Sequence, residues 1–334
     1  MPSLNSPLPA SSPIARHALW LRRVLGGLVL VAAIYSAAPA AQEMNGFDLK
    51  DSLIPWLQIN FGGPEKDGIP SIDKPDFVMA GFAAFLRNDD EVLGLVRGKT
   101  ARAYPVPILN WHEVVNDRIG KDPVTITFCP LCGTGVAFDA RVEGRELTFG
   151  VSGLLYNSDV LLYDRQTNSL WSQILGQAIS GQLKGKRLTM LPLTHTSWAD
   201  WRKAQPATEV LSTNTGNVRP YRRNPYDGYE KSGELMFPVQ FRAAGFHPKE
   251  RVLGILIDGR AKAYPFAELG KTAGEITDRI GDTVVSIRYD HKVRRATAHG
   301  SDGTQLATVV GYWFAWYAFH PATEVYRAGT APRR

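Results

Sequence analysis

Short apolar runs broken by turn residues dominate this chain. "EVLGLVRGKTARAYP" (91–105) reads as an apolar strand, a tight Gly turn and a second strand ending in Tyr-Pro. "VNDRIGKDPVTITFC" (115–129) reads as a polar turn followed by an alternating strand, and "GTGVAF" (133–138) as a strand returning from it. Helical stretches look brief: 107–115 after Pro105, 266–277 after Pro265, and two segments carrying W-x-x-W.

The same landmarks occur twice, in the same order. "EVLGLVRGKTARAYP" matches "RVLGILIDGRAKAYP" (251–265), and "VNDRIGKDPVTITFC" matches "ITDRIGDTVVSIRYD" (276–290). "WADWRKAQPATEV" (198–210) matches "WFAWYAFHPATEV" (313–325). This predicts an α+β, β-rich fold of two repeated strand-turn-strand-helix-strand units packed as a pseudo-symmetric pair, with the Trp pairs in the cores. The organisation that follows is a leader at 1–40, a Gly/Pro/Asp-rich opening segment at 41–85 and unit one at 86–212. A turn-rich bridge at 213–246, unit two at 247–327 and a tail at 328–334 complete it.

The leader is not part of the fold. A basic lead-in precedes the apolar run "VLGGLVLVAAIYSAA", and "APA" (38–40) fits a small-x-small cleavage site. The run is shorter than the ~20 residues that span a bilayer. A cleaved secretory signal is the expectation, with an uncleaved N-terminal anchor as the alternative and the only membrane contact. The protein is then exported, periplasmic or extracellular. Arg16, Arg22 and Arg23 account for three of the six net positive charges, which leaves +3 on the mature chain. Without a dense basic run interleaved with aromatics, that balance does not point to nucleic acid.

Chemistry is expected where unit one has something unit two lacks. Cys129 and Cys132 are the chain's only cysteines, in "FCPLCGTG", where unit two reads "YDHKVRRA". Unit one also carries an insertion, "FGVSGLLYNSDVLLYDRQTNSLWSQ" (149–173). The glycines after Cys132 argue against a helix starting at the pair, so helix-assisted thiol activation is not expected. C-P-x-C-G resembles the knuckle of rubredoxins and zinc ribbons, but the second knuckle of a four-sulfur site is missing. A disulfide across so small a loop adds little stability.

The leading expectation is a thiol-disulfide or peroxide-type redox protein, with Cys129 attacking and Cys132 resolving. Its redox partner or small-molecule substrate is unidentified. The alternative is a metal-binding or metal-delivery protein using Cys129, Cys132 and His112, with an oxygen ligand. A third is a binding module with the cysteines as a staple. The pocket candidates are His112, Tyr156, Asn157, Ser158, Asp159, Tyr163, Asp164 and Arg165. His112 lacks a counterpart in unit two, and Arg165 is placed to lower a thiol pKa or hold an anion. No phosphate-binding loop, dinucleotide fingerprint or HExxH is present, and no cofactor is specified by the sequence.

"YPVPILNWHEVVND", "FCPLCGTGVAFDA", the insertion and the W-x-x-W…P-A-T-E-V segment together resemble the DUF3179 family of unknown function, over roughly 86–326. Some members of that family look like selenoproteins, with selenocysteine in place of a cysteine. At Cys129 or Cys132, that resemblance implies redox chemistry, although a selenolate also binds metal.

Overall fold

The computed structural model describes residues 42–242 and 244–329; the leader expected at 1–40 and the end of the tail lie outside them. Strands dominate and helices are short. Contacts from Glu43 onward cluster as one compact body, so units one and two and the bridge share it. No helix among the described residues is long and apolar enough to cross a membrane.

In unit one, Glu91–Arg97 and Thr100–Pro105 form a hairpin in which Gly94 faces Ala103. Thr194–Ser197 pairs with its outer edge, and Glu209–Leu211 runs parallel to its other edge. In unit two, Arg251–Ile257 and Arg260–Pro265 pair in the matching register, with Gly254 facing Ala263. Val309–Tyr312 and Glu324–Val325 take the corresponding edges.

The W-x-x-W helices, Trp198–Ala204 and Trp313–Phe319, pack over these hairpins. Trp201 lies so close to Gly94, and Trp316 to Gly254, that an added Cβ would sit 2.2 Å from either ring. Each indole donates to a threonine 2.9 Å away, Trp201 to Thr208 and Trp316 to Thr323. Both Trp pairs are buried, as expected of core residues.

The strand runs after each hairpin differ in their neighbours. Val114–Ile119, Asp122–Cys129 and Thr134–Asp139 form a meander that joins unit two's sheet where Gly135 pairs with Val310. Ile276–Ile280, Thr283–Asp290 and Arg295–Gly300 form a separate three-stranded sheet. The insertion supplies Phe149–Tyr156, Asp159–Asp164 and Leu170–Ser172 to a sheet that also holds Ile59–Phe61.

Two expected helices are much shorter than their apolar patterns suggested. The one at 107–115 is a single turn, Val106–Leu109, and the one at 266–277 is Phe266–Leu269. The chain leaves the helical region at Glu113 (φ 57°) and Gly274 (φ 81°), which end the two connections before the next strands begin.

Candidate metal centre

The cysteine turn is built by its strands. Asp122–Cys129 delivers Cys129 and Thr134–Asp139 leads away, with Cys129 facing Thr134 across the hairpin. The Cys132 N–H donates to the Cys129 carbonyl at 3.2 Å, closing a tight turn. Gly133 follows at φ 59°, in the left-handed region, and a Cβ there would meet the Tyr312 ring at 2.9 Å. The Tyr312 N–H donates to the Cys132 carbonyl at 2.8 Å, so unit two holds the turn from outside. The turn expected between two strands is therefore present, and it starts no helix.

The insertion meets it head-on. Tyr156 pairs with Asp159, leaving Asn157 (φ 51°) and Ser158 (φ 66°) as a two-residue hairpin loop with both residues left-handed. The Ser158 carbonyl accepts from both thiols, at 3.3 Å from Cys132 Sγ and 3.8 Å from Cys129 Sγ. A carboxylate oxygen of Asp159 and the two sulfurs all lie within 4.8 Å of one another. The insertion also braces the cysteine hairpin from below: Gln173 accepts from the Thr134 hydroxyl at 2.7 Å and donates to Thr127 Oγ1 at 3.0 Å.

The group is sealed from solvent. Cys132, Ser158 and Asp159 have no exposed surface and Cys129 has 1%. Asp159 Oδ2 accepts from the Ile174 N–H at 3.2 Å, but Asp159 Oδ1 and Ser158 Oγ have no partner among the described residues. Buried polar atoms are ordinarily satisfied, so two orphans side by side mark an unusual place.

Electrostatics make it more unusual. Burial, offset in part by hydrogen bonds, moves Asp159 up to about 7. Burial and then the Asp159 charge move Glu113 up to about 8. Burial raises Cys129, with Asp159 and Glu113 adding to it; Cys132 is raised further by burial and its neighbours Cys129 and Asp159. The Tyr226 and Tyr229 phenols, from the bridge, are raised by burial first and then by charge on this cluster. The two tyrosines also line a cavity of about 140 Å³ beside Phe128, Pro130 and Gly133.

The remaining candidates lie elsewhere. His112 is fully buried, but Pro70 O lies 2.7 Å from Nδ1 and the Tyr221 hydroxyl 2.7 Å from Nε2. With both ring nitrogens engaged, it is not part of the converging group, and the ligand set expected from sequence changes accordingly. Asn157 donates to Ala318 O and accepts from the Gln240 N–H, tying the loop to unit two and the bridge. Tyr156 packs edge-on against Phe319. Tyr163 donates to Asp67, and Arg165 bonds Asp67, Ser71 and Tyr163. Asp164 accepts from Thr167 and Trp171 and stabilises the turn after its strand. Arg165 is thus committed to the opening segment rather than to a thiolate.

Glu113, Tyr226 and Tyr229 were not anticipated. The family described as a protein of unknown function, DUF3179, matches residues 66–323. The chain belongs to this family. Its match takes in part of the opening segment, including Asp67 and Ser71, which the motifs alone left outside. No curated protein matches this DUF3179 chain, and no solved structure matches it.

Proposed function

We propose that this DUF3179 protein binds a thiophilic divalent metal ion through Cys129, Cys132 and Asp159. One observation carries this reading: four buried acidic groups, the two thiols, Asp159 and Glu113, share a region that no salt bridge reaches among the described residues. Isolated buried anions cost far more than paired or metal-bound ones, so the group either stays protonated or takes up a cation. Two thiolates with a carboxylate suit a borderline ion such as zinc(II). The orphaned Asp159 Oδ1 is the oxygen available to it.

The test is protein isolated without reductant or chelator, assayed for metal and then, after reduction, titrated with cobalt(II). One equivalent of metal and a thiolate-to-cobalt charge-transfer band are expected. Cys129→Ser, Cys132→Ser and Asp159→Asn should each weaken binding at least a hundredfold. Stoichiometric metal in neither preparation, with no band, sinks the reading.

A second reading has one observation in its favour. A carboxyl titrating at about 7 beside both sulfurs can accept the thiol proton as a disulfide forms. The two thiols would lose two protons and two electrons to hydrogen peroxide, whose O–O bond breaks, giving one Sγ–Sγ bond and two waters. Sulfurs this deeply buried admit only a small oxidant, and both raised thiol pKa values oppose thiolate formation. Thiol trapping during the same isolation distinguishes it.

The pseudo-symmetric pairing of the two units is part of the same proposal. The matching hairpin registers and the matched Trp–Gly and Trp–Thr contacts support a duplicated scaffold, of which one copy acquired the metal site.

A further inference from the structure

We infer that Glu113 is the fourth donor of this site, held beside it by a left-handed bend that the backbone alone does not require to be anything but glycine. The inference rests on the metal reading above and narrows the cargo to a divalent ion that takes oxygen as well as sulfur.

The bend itself needs no side chain. The Glu113 N–H donates to Leu109 O at 2.8 Å, and its carbonyl accepts from the Phe128 N–H at 2.7 Å. Glycine would make both bonds without the steric penalty that a Cβ meets at φ 57°. Unit two does this: counted from the shared Asp-Arg-Ile-Gly turn, the matching position is Gly274, at φ 81°. Unit one therefore keeps a strained residue where the unstrained one is available to the same scaffold.

The side chain that the strain serves is buried and without a partner. Glu113 is 6% exposed, and no hydrogen bond or ion pair reaches its carboxyl among the described residues. Its carbonyl is bonded to Phe128, the residue before Cys129, and the next residue, Val114, pairs with Thr127, which places Glu113 beside the cysteine strand. Its oxygens lie outside the 4.8 Å cluster of the other three, so to act as the fourth donor the side chain must turn toward the sulfurs. Two thiolates alone satisfy copper(I). Two carboxylates added to them complete four-coordination for a borderline divalent ion such as zinc(II) or cobalt(II).

Glu113→Gln and Glu113→Gly test this, by cobalt(II) and copper(I) titration and by melting of the metal-free, reduced protein. Both variants should bind cobalt(II) at least tenfold more weakly, with altered visible ligand-field bands and a retained thiolate charge-transfer band. Copper(I) affinity should be unchanged. Metal-free Glu113→Gly should melt above the wild type, because relief of the bend outweighs a side chain that makes no bond. Unchanged cobalt affinity and spectrum in both variants overturn the inference, as does a Glu113→Gly protein that melts lower. A wild type without any cobalt band overturns the metal reading itself, and this inference with it.

Discussion

The turn Cys129–Gly133 and the turn Asp290–Arg294 close equivalent hairpins, and both place their last residue at positive φ, 59° for Gly133 and 48° for Arg294. Around them the scaffolds agree in detail. Tyr104 donates to Asp117 at 2.6 Å and Tyr264 to Asp278 at 2.9 Å, and each aspartate also pairs with a basic residue from the same strand as its tyrosine, Arg102 or Lys262. The difference is what fills the space next to the turn. In unit one Ser158 and Asp159 face the sulfurs, and Glu113 lies against Phe128, the residue before Cys129. In unit two the insertion is missing, Glu113 is replaced by Gly274, and the turn is lined with Lys292, Arg294 and Arg295. The packing is alike in both units, whereas a cluster of buried acidic groups that no cation reaches among the described residues occurs only in unit one. Buried acids without a cation are costly to a fold, and that cost is what the proposed metal would remove.

The agreement is most severely tested at the Trp–Gly contacts. Gly94→Ala and Gly254→Ala each push a methyl group to 2.2 Å from a buried indole. Each substitution should cost about 3 kcal/mol, the upper end for overpacking, read as a shift in denaturation midpoint. Equal costs support equivalent scaffolds. A severe loss at one site and near-neutrality at the other breaks the comparison.

The difference between copies should also appear as a pH dependence of the metal-free, reduced protein. Asp159 and Glu113 are raised to about 7 and about 8, above their unfolded values. The folded state then holds protons that the unfolded state has released. That stability is complete below the unfolded carboxyl range and is lost as pH rises through 7 and 8. Between pH 6.5 and 8 the loss should be about 2 kcal/mol, and it should vanish in an Asp159→Asn, Glu113→Gln double variant. The window lies mostly above the range of the buried His112 and His320, which burial pulls down, His320 to about 4, and whose slope has the opposite sign and fades above the unfolded histidine value. A bound metal competes with the same protons, so metal affinity should rise across this window.

The scaffold was legible in the sequence because period-2 patterning and turn residues are local signals. The strands around Cys129–Gly133 fell where the alternation put them. Comparing the two copies was enough to direct attention to the cysteines and the insertion. Within the insertion the signal ran out at single residues. Asn157 and Ser158 are adjacent, yet Asn157 ties to Ala318 and Gln240 while the Ser158 carbonyl takes both thiols. Nothing local distinguishes them. Arg165 finds Asp67 and Ser71 more than ninety positions away, a tertiary fact without a local trace. His112 was favoured because unit two has no histidine at the matching position, but its two ring nitrogens are engaged by Pro70 and Tyr221. The usable clue was Glu113 itself, a charged residue aligned with Gly274. A buried acid in a left-handed bend where the other unit has glycine is a more telling feature than a histidine without a counterpart.

That clue has a mirror image in unit two. Arg294 occupies the left-handed position that Gly133 fills in unit one, with φ 48°. Arg294 interacts with Tyr289, but it lies outside the cores and belongs to no buried acidic group. Its strain therefore serves packing at most, and replacement by glycine should relieve it. Because glycine also gains freedom in the unfolded chain, the net effect of Arg294→Gly should be small, a stabilisation of about 0.5 kcal/mol. Gly133→Ala should move the other way and further, since it adds both the left-handed penalty and a clash with Tyr312. Its cost should be about 2 kcal/mol. Thermal melts of the two variants check the signs. If Arg294→Gly destabilises instead, the arginine holds a structural contact that its unit-one counterpart lacks, and strain at a single position stops being a guide to which copy carries the chemistry.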